Sequence, residues 1–322
     1  MKRTLPWTLA VATALFLVPS AQAGDRHGGD FLRVELGAAP VARGLAGVLG
    51  ADPGSRPWWN PALLAAGDGS WFSFQHQEAF GGQLELDYLS WSAPSALGGR
   101  PAGLFLLRQA VPDIPIATVL EGGASLEEGG RPLVKAREDA GDWVLGLSTA
   151  RAWESGVRAG VTLKLIHRDL VTRRATGAGL DAGAAWRMNP SLELGGTLRD
   201  LTGSLLAWDD GQRDWIPPEW ALGAAWNRDL PRWRSRLRAE LNLRGELEGA
   251  VPDRDGTWRR AWLHGGLNWL LLDRLALRAG WAEGDPAAGA GLALGRWSLD
   301  YAWRPHPELG ASHLVTAGFR LP

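Results

Sequence analysis

The chain has 322 residues, with 34 Lys and Arg against 35 Asp and Glu, no cysteine, 43 glycines and 19 tryptophans. Balanced charge argues against a basic nucleic-acid footprint. The missing cysteine excludes disulfides, zinc–thiolate sites and thiol catalysis.

Residues 1–23, "MKRTLPWTLAVATALFLVPSAQA", read as a secretory signal peptide. Lys2 and Arg3 precede an apolar run from Leu5 to Val18, and Ala21-Gln22-Ala23 supplies small residues for cleavage. The expected mature chain begins at residue 24 and is exported from a bacterial cytoplasm. No second apolar stretch is long enough for a membrane helix.

Residues 24–69 form a separate N-terminal segment, and the stretch "ADPGSRPWWNPALLAAG" within it is neither strand nor long helix. Asn60 is a favoured N-cap for a helical turn opening at Pro61.

From residue 70 the hydropathy alternates with period two, which predicts β-strands rather than helices. In "RSRLRAELNLRGELE", Leu237, Ala239, Leu241 and Leu243 share one face. Arg236, Arg238, Glu240, Arg244 and Glu246 share the other. The predicted strands are 70–77, 83–93, 101–111, 142–151, 155–168, 177–188, 191–200, 218–228, 233–247, 259–270, 274–282, 287–295, 297–303 and 312–320. Several reach the length a tilted strand needs to cross a bilayer. The connections 112–141, 201–217, 248–258 and 304–311 are long and polar, and they fall in odd-numbered gaps. Even-numbered gaps are mostly tight. Sorting of loops by parity, an even strand count and tryptophans near strand ends describe an outer-membrane β-barrel.

The fold class expected is therefore all-β: a transmembrane antiparallel β-barrel of about 14 strands over residues 70–322, with a short, partly helical N-terminal plug at 24–69. The five charges Arg236, Arg238, Glu240, Arg244 and Glu246 then project into the lumen, either as a selectivity lining or as a structural network. No nucleophile–base constellation, phosphate loop or metal-ligand spacing is present, so no catalytic residue, metal or cofactor is assigned and an enzyme is not expected. Asp209 and Asp210, and the acidic group Glu121, Glu127 and Glu128, read as hydrophilic loop residues.

The stretch "FLRVELGAAPVARGLAGVLGADPGSRPWWNPALLAAG" resembles the N-terminal signature of the PorV/PorQ family of outer-membrane barrels, relatives of the FadL-type fatty-acid transporters. Gly37, Ala38, Gly44, Ala51, Asp52, Ser55, Trp59, Asn60, Pro61, Ala62 and Leu64 fit the pattern, with Trp58 completing an aromatic pair. Pro53 stands where a second Asp is usual, Leu63 where Gly is usual and Ala39 where Arg is common. Similarity continues through "LDAGAAWRMNPSLELGGTLRDL" and "WSLDYAWRPHPELGASHLVTAGFRL". The resemblance implies a single barrel in the outer membrane with its N-terminal segment in or across the lumen. It implies a plug motif of Gly37, Gly44, Asp52, Trp58, Trp59, Asn60 and Pro61. It also implies an accessory role in type IX-like secretion through contacts with secreted or secretion-system proteins. The alternative is passage of hydrophobic small molecules. Outer-membrane lipid is the expected surrounding in either case, and nucleic acid is not a partner.

Overall fold

The computed structural model describes residues 29–67, 69–118, 133–247, 251–252, 258–259, 261–306 and 310–322. The expected signal peptide lies outside the described residues. So do Glu121, Glu127 and Glu128 of the third connection.

The strands are β1 (Trp71–Ala79), β2 (Leu84–Leu97), β3 (Arg100–Thr118), β4 (Leu133–Ala152), β5 (Val157–Asp169), β6 (Arg174–Arg187), β7 (Leu192–Arg199), β8 (Ser204–Trp208), β9 (Arg213–Ile216), β10 (Glu219–Leu230), β11 (Ser235–Glu246), β12 (Val251–Pro252), β13 (Trp258–Arg259), β14 (Ala261–Leu271), β15 (Leu275–Ala282), β16 (Asp285–Leu294), β17 (Trp297–His306) and β18 (Gly310–Arg320). Fourteen of them close one antiparallel barrel, with β8, β9, β12 and β13 as short additions. Closure runs through β1 and β18, where Trp71 pairs with Arg320 and Glu78 with His313.

Alternation drives this architecture. In β5, Val161, Leu163 and Leu165 are exposed on the outside, while Thr162, Lys164 and Ile166 are buried on the inside. In β1, Phe72 and Phe74 face out while Ser73, Gln75 and Gln77 are buried. An outer surface of leucine, valine and phenylalanine over a polar interior suits a wall set in lipid, because closure leaves no unpaired edge inside the hydrocarbon layer. Exposed Trp153, Trp186, Trp233 and Trp297 mark the short-turn end, and Trp143, Trp281 and Trp303 stand toward the other. Trp143 in β4 and Trp153 just past its end are ten residues apart. At about 3.3 Å per residue and a tilt of about 40°, that separation spans roughly 25 Å, the height of a barrel's apolar band. Replacing Leu163, on this band, with arginine is expected to cost about 2–4 kcal/mol. Denaturant titration of protein refolded into lipid bilayers measures it, with Leu163→Phe as the neutral control. An unchanged midpoint in Leu163→Arg would place this face away from lipid.

The two ends of the wall differ as the loop parity requires. Short turns at 98–99, 153–156, 188–191, 231–234, 272–274 and 295–296 share one end. The strand ends that flank the long connections, Thr118 and Leu133, Arg199 and Glu219, and Glu246 and Ala261, all lie at the other, which is the outer end by this rule.

Four expected boundaries are corrected. The strands at 101–111 and 142–151 lengthen to Arg100–Thr118 and Leu133–Ala152. Pro112 sits at a bulge: Val111 pairs with Ala140 and Ile114 with Glu138, so Pro112 and Asp113 oppose one residue, while Pro115 pairs in register with Arg137. A bulge frees the ladder from the hydrogen bond that proline lacks. The connection 201–217 folds as a hairpin, β8 to β9, with β8 paired to β6. Residues 304–306 and 310–311 join β17 and β18 rather than forming a long loop. Asp209 and Asp210 hold the β8–β9 turn: Asp209 accepts from Arg174 N–H, and Asp210 accepts from Gln212 N–H and pairs with Arg173.

Candidate functional site: the lumen and the segment that fills it

Residues 29–67 run through the barrel from its outer end to the short-turn end. Phe31 lies under the Arg168 guanidinium at 4.2 Å, Arg33 pairs with Glu246 and Glu35 with Arg304, all near the outer ends of their strands. Midway, Gly54 O accepts from Tyr88 Oη–H and Pro53 O accepts from Ser92 Oγ–H; at the other extreme Pro57 abuts Gly103 and Pro61 abuts Gly160, near the short-turn starts of β3 and β5. The segment therefore reaches the outer mouth, where Phe31, Leu32 and Leu36 find the burial that the enclosed lumen provides.

Helix α1 (Ala38–Ala42) packs against β15, β16 and β17. Gly37 precedes it at φ +79°, a left-handed conformation that glycine adopts without strain. Its N–H donates to Gln75 Oε1 at 2.6 Å, and Ala38 N–H donates to Thr316 Oγ1 at 2.9 Å. A Cβ at Gly37 would lie 2.7 Å from Asp52 Oδ2. Gly44, at φ +68°, lets the segment touch the backbone of Trp281. Asp52 accepts Ser55 N–H at 2.9 Å and so opens α2 (Arg56–Trp59).

Trp58 and Trp59 form the centre. Trp58 is 2% exposed, meets Phe105 edge-on at 5.6 Å and lies under Arg199 at 4.5 Å. Trp59 packs on Gly47, and its indole N–H donates to Leu36 O at 2.7 Å. Asn60, 0% exposed, joins three parts of the molecule. Its Nδ2–H group donates to Val48 O at 2.8 Å and to Ala184 O of the wall at 3.3 Å. Its Oδ1 accepts Ala62 N–H at 3.1 Å, capping the 3-10 turn Pro61–Ala66. The wall beneath is pared to glycine at Gly160 and Gly183, where a Cβ would collide with Pro61 and Asn60.

The five expected lumen charges share one face of β11: four lie inside the barrel, and Arg236 lies at its rim. Glu240 receives Arg238, which also donates to Leu49 O at 2.9 Å and to Asn227 Oδ1 at 3.0 Å. Arg244 pairs with Glu219 at 2.8 Å, and Glu246 with Arg33 of the inner segment. Arg236, the second residue of β11, instead pairs with Asp229 at 2.9 Å at the exposed short-turn rim. The four inward charges tie wall strands to one another and to the segment. Two further groups went unremarked in the sequence. Gln75, Gln77 and Thr316 show only as neutral polar residues at inward parity. Lys164 lies 2.8 Å from both Asp181 and Asp200, and all three are buried.

That lysine cluster sits where the wall is least regular. Residues 179–181 of β6 face the stretch 199–204, between the Ala182–Leu198 and Ala178–Leu205 pairs. Asp200 takes φ +49° there, and Pro217 and Pro218 interrupt the opposite strand. A hollow of about 20 Å³, room for about one water, lies beside it between Trp58, Lys164, Asp200 and Ile216. A second of the same size lies beside Trp59 and Arg244. The larger space is a cavity of about 230 Å³ at the outer mouth. Val34, Phe80, Leu84, Leu86 and Pro305 line it, with Gln77, Gln109, Glu35 and Arg304. Among the described residues no three His, Asp or Glu side chains are grouped to hold a metal.

No family model and no curated protein matches the sequence. Solved structures do match. The toluene transporter TodX of P. putida aligns at 13% identity over 89% of this chain and 98% of that one, with a TM-score of 0.53. The CymD monoaromatic hydrocarbon channel aligns at 11% identity over 93% and 99%, with a TM-score of 0.51. At these identities the likeness is one of fold: the chain shares the barrel architecture of these two transport channels over nearly its whole length.

Proposed function

We propose that the protein is an outer-membrane channel of the FadL-like superfamily that passes hydrophobic small molecules, with residues 24–69 as its plug and residues 70–322 as its barrel. The observation that carries this reading is the 230 Å³ cavity at the outer mouth, apolar over much of its lining and floored by a buried segment. An engineered apolar cavity of about 150 Å³ takes benzene, so this one has room for a substituted single ring. The likeness of fold to a toluene transporter and a hydrocarbon channel supports the same choice. It favours passage of small molecules over the secretion role that the PorV/PorQ resemblance implies. In this reading the motif Gly37, Gly44, Asp52, Trp58, Trp59, Asn60 and Pro61 holds the plug, and the paired lumen charges keep it registered rather than conducting ions. The irregular wall at 199–204 offers a solute beside Trp58 a place where fewer ladder hydrogen bonds resist movement.

The test is whole-cell uptake. Expressed in a Gram-negative host without related channels, the protein is expected to raise initial uptake of radiolabelled toluene several-fold over a vector control. Equal rates in cells with an intact outer membrane and verified barrel insertion would reject the channel reading.

A further inference from the structure

The two ends of the wall differ in charge as well as in loop length. Each of the six short turns carries or adjoins an exposed arginine: Arg100, Arg151, Arg187, Arg232, Arg274 and Arg296. Arg228, Arg234 and Arg236 add three more around the turn between β10 and β11. Among the described residues, the exposed acids at this end are Glu154, Asp229 and Asp273. Of these nine arginines only Arg236 has a carboxylate partner, Asp229 at 2.9 Å. The outer end is mixed in sign: Lys135 and Arg137 stand on β4 beside Glu138 and Asp139, and Arg137 pairs with Asp113. Like charges gathered round one rim repel one another unless anions lie among them. The depth of the rim is set by its aromatic residues. Arg151 lies over the Trp153 ring at 5.4 Å, and Arg187, Arg232, Arg234 and Arg296 each adjoin an exposed tryptophan in the chain. Exposed tryptophans of a barrel sit in the headgroup layer, which puts guanidinium groups beside them at the depth of lipid phosphates.

We infer that the short-turn rim is a collar that binds anionic phospholipid, a phosphate diester of net negative charge, in the inner leaflet of the outer membrane. The planar guanidinium donates two parallel hydrogen bonds to a phosphate, which a lysine ammonium does not. The rim is arginine throughout, with no lysine. Its distribution selects lipid over a docked protein. The arginines occur at every short turn around the barrel, as a surrounding ring of lipid requires, whereas a folded partner would meet one side. Net charge selects the headgroup: a zwitterionic lipid carries the same phosphate, but its own ammonium offsets the attraction. The collar holds the barrel at a fixed depth, with its turns at the inner phosphates and its leucine band in the hydrocarbon. This inference goes beyond the channel reading and stands whether or not the lumen passes a solute.

The folded barrel in phosphatidylcholine vesicles, probed with spin-labelled phosphatidylglycerol and spin-labelled phosphatidylcholine, tests the collar. In the electron paramagnetic resonance spectrum, the motionally restricted fraction of each probe reports its relative affinity for the barrel surface. The parent is expected to prefer phosphatidylglycerol about three- to tenfold at low salt. That preference should fall toward equality in about 1 M salt, where charges are screened beyond about 3 Å. The variant Arg187→Gln, Arg232→Gln, Arg234→Gln, Arg274→Gln, Arg296→Gln is expected to lose most of the preference while keeping the unboiled gel mobility of the folded barrel. The double variant Arg137→Gln, Arg213→Gln, at the outer end, is expected to keep it. Should the fivefold variant fail to insert, Arg232→Gln with Arg234→Gln is expected to lower the preference measurably. Equal affinity of the parent for the two probes would overturn the collar, and it is the outcome expected of a rim built for an acidic periplasmic protein. A preference unchanged in the rim variants, or lost equally in the outer-end variant, would overturn it as well.

Discussion

Replacing Trp58 and Trp59 together by alanine is expected to detach the inner segment while the barrel stays closed. Removing a buried tryptophan costs about 3–5 kcal/mol, the sum of lost transfer energy and the cavity left behind. Both rings are almost fully buried, and both lie within reach of Arg199, at 4.5 Å and 5.8 Å. The two losses therefore share a partner and will not add simply. Trp59 also carries the hydrogen bond to Leu36 O, which ties the segment's two halves together. The barrel's own cohesion lies elsewhere, in ladders that join each barrel strand to its neighbours and close β1 on β18. The double variant should thus keep the faster migration of unboiled protein on detergent gels. In planar bilayers it should conduct ions where the parent is nearly closed, because the largest side chains inside the lumen are gone. Proteolysis of the segment in folded protein gives an independent reading. An intact gel shift with unchanged conductance would show that the polar contacts at Gln75, Asn60 and Arg238 suffice to hold the plug. Loss of the folded band would show that the segment is part of the barrel's core rather than a guest in it.

The division between what the chain's pattern reveals and what it hides follows from range. Wall strands were readable because a period-two alternation is a local signal repeated many times, as in Val161 to Lys164 and Leu237 to Arg244. The direction of inward residues followed for Arg238, Glu240, Arg244 and Glu246 for the same reason. Arg236 differs because parity says which face a residue takes, not how deep in the barrel it lies. The 112–118 extension failed because proline reads as a loop unless a bulge absorbs it, and a bulge depends on the neighbouring strand. The segment's path was hidden for a different reason. Gln75 with Gly37, Thr316 with Ala38 and Asn60 with Ala184 are contacts 38, 278 and 124 residues apart in the chain. Nothing in a window of ten residues reports them. The glycines at 160 and 183 are the trace such contacts leave in sequence, since a wall strand gives up side chains only where something else needs the room.

The Lys164 cluster yields the second large effect. Lys164→Met is expected to destabilise the folded barrel by about 3–5 kcal/mol, because it leaves the Asp181 and Asp200 carboxylates buried without their cation. The pair is not exchangeable with solvent in the folded state: Lys164 is 2% exposed, Asp181 4% and Asp200 5%. Each carboxylate also has structural work. Asp181 Oδ1 accepts Asp200 N–H at 2.8 Å, and Asp200 Oδ1 accepts Ser204 Oγ–H. The ion cluster therefore pins the two ends of the stretch 199–204 at the one place where the β6 ladder is interrupted. The contrast that isolates charge from packing is the triple variant Lys164→Met, Asp181→Asn, Asp200→Asn. It keeps side-chain volume and most hydrogen bonds but removes every charge, and a buried ion cluster replaced as a whole is often neutral. Denaturant titration in bilayers should show a large loss for the single variant and recovery of most of it in the triple. If the single variant unfolds no more readily than the parent, water reaches the cluster and the irregular stretch of wall is open rather than sealed. If the triple is as unstable as the single, the lysine's aliphatic packing, not its charge, holds the wall there.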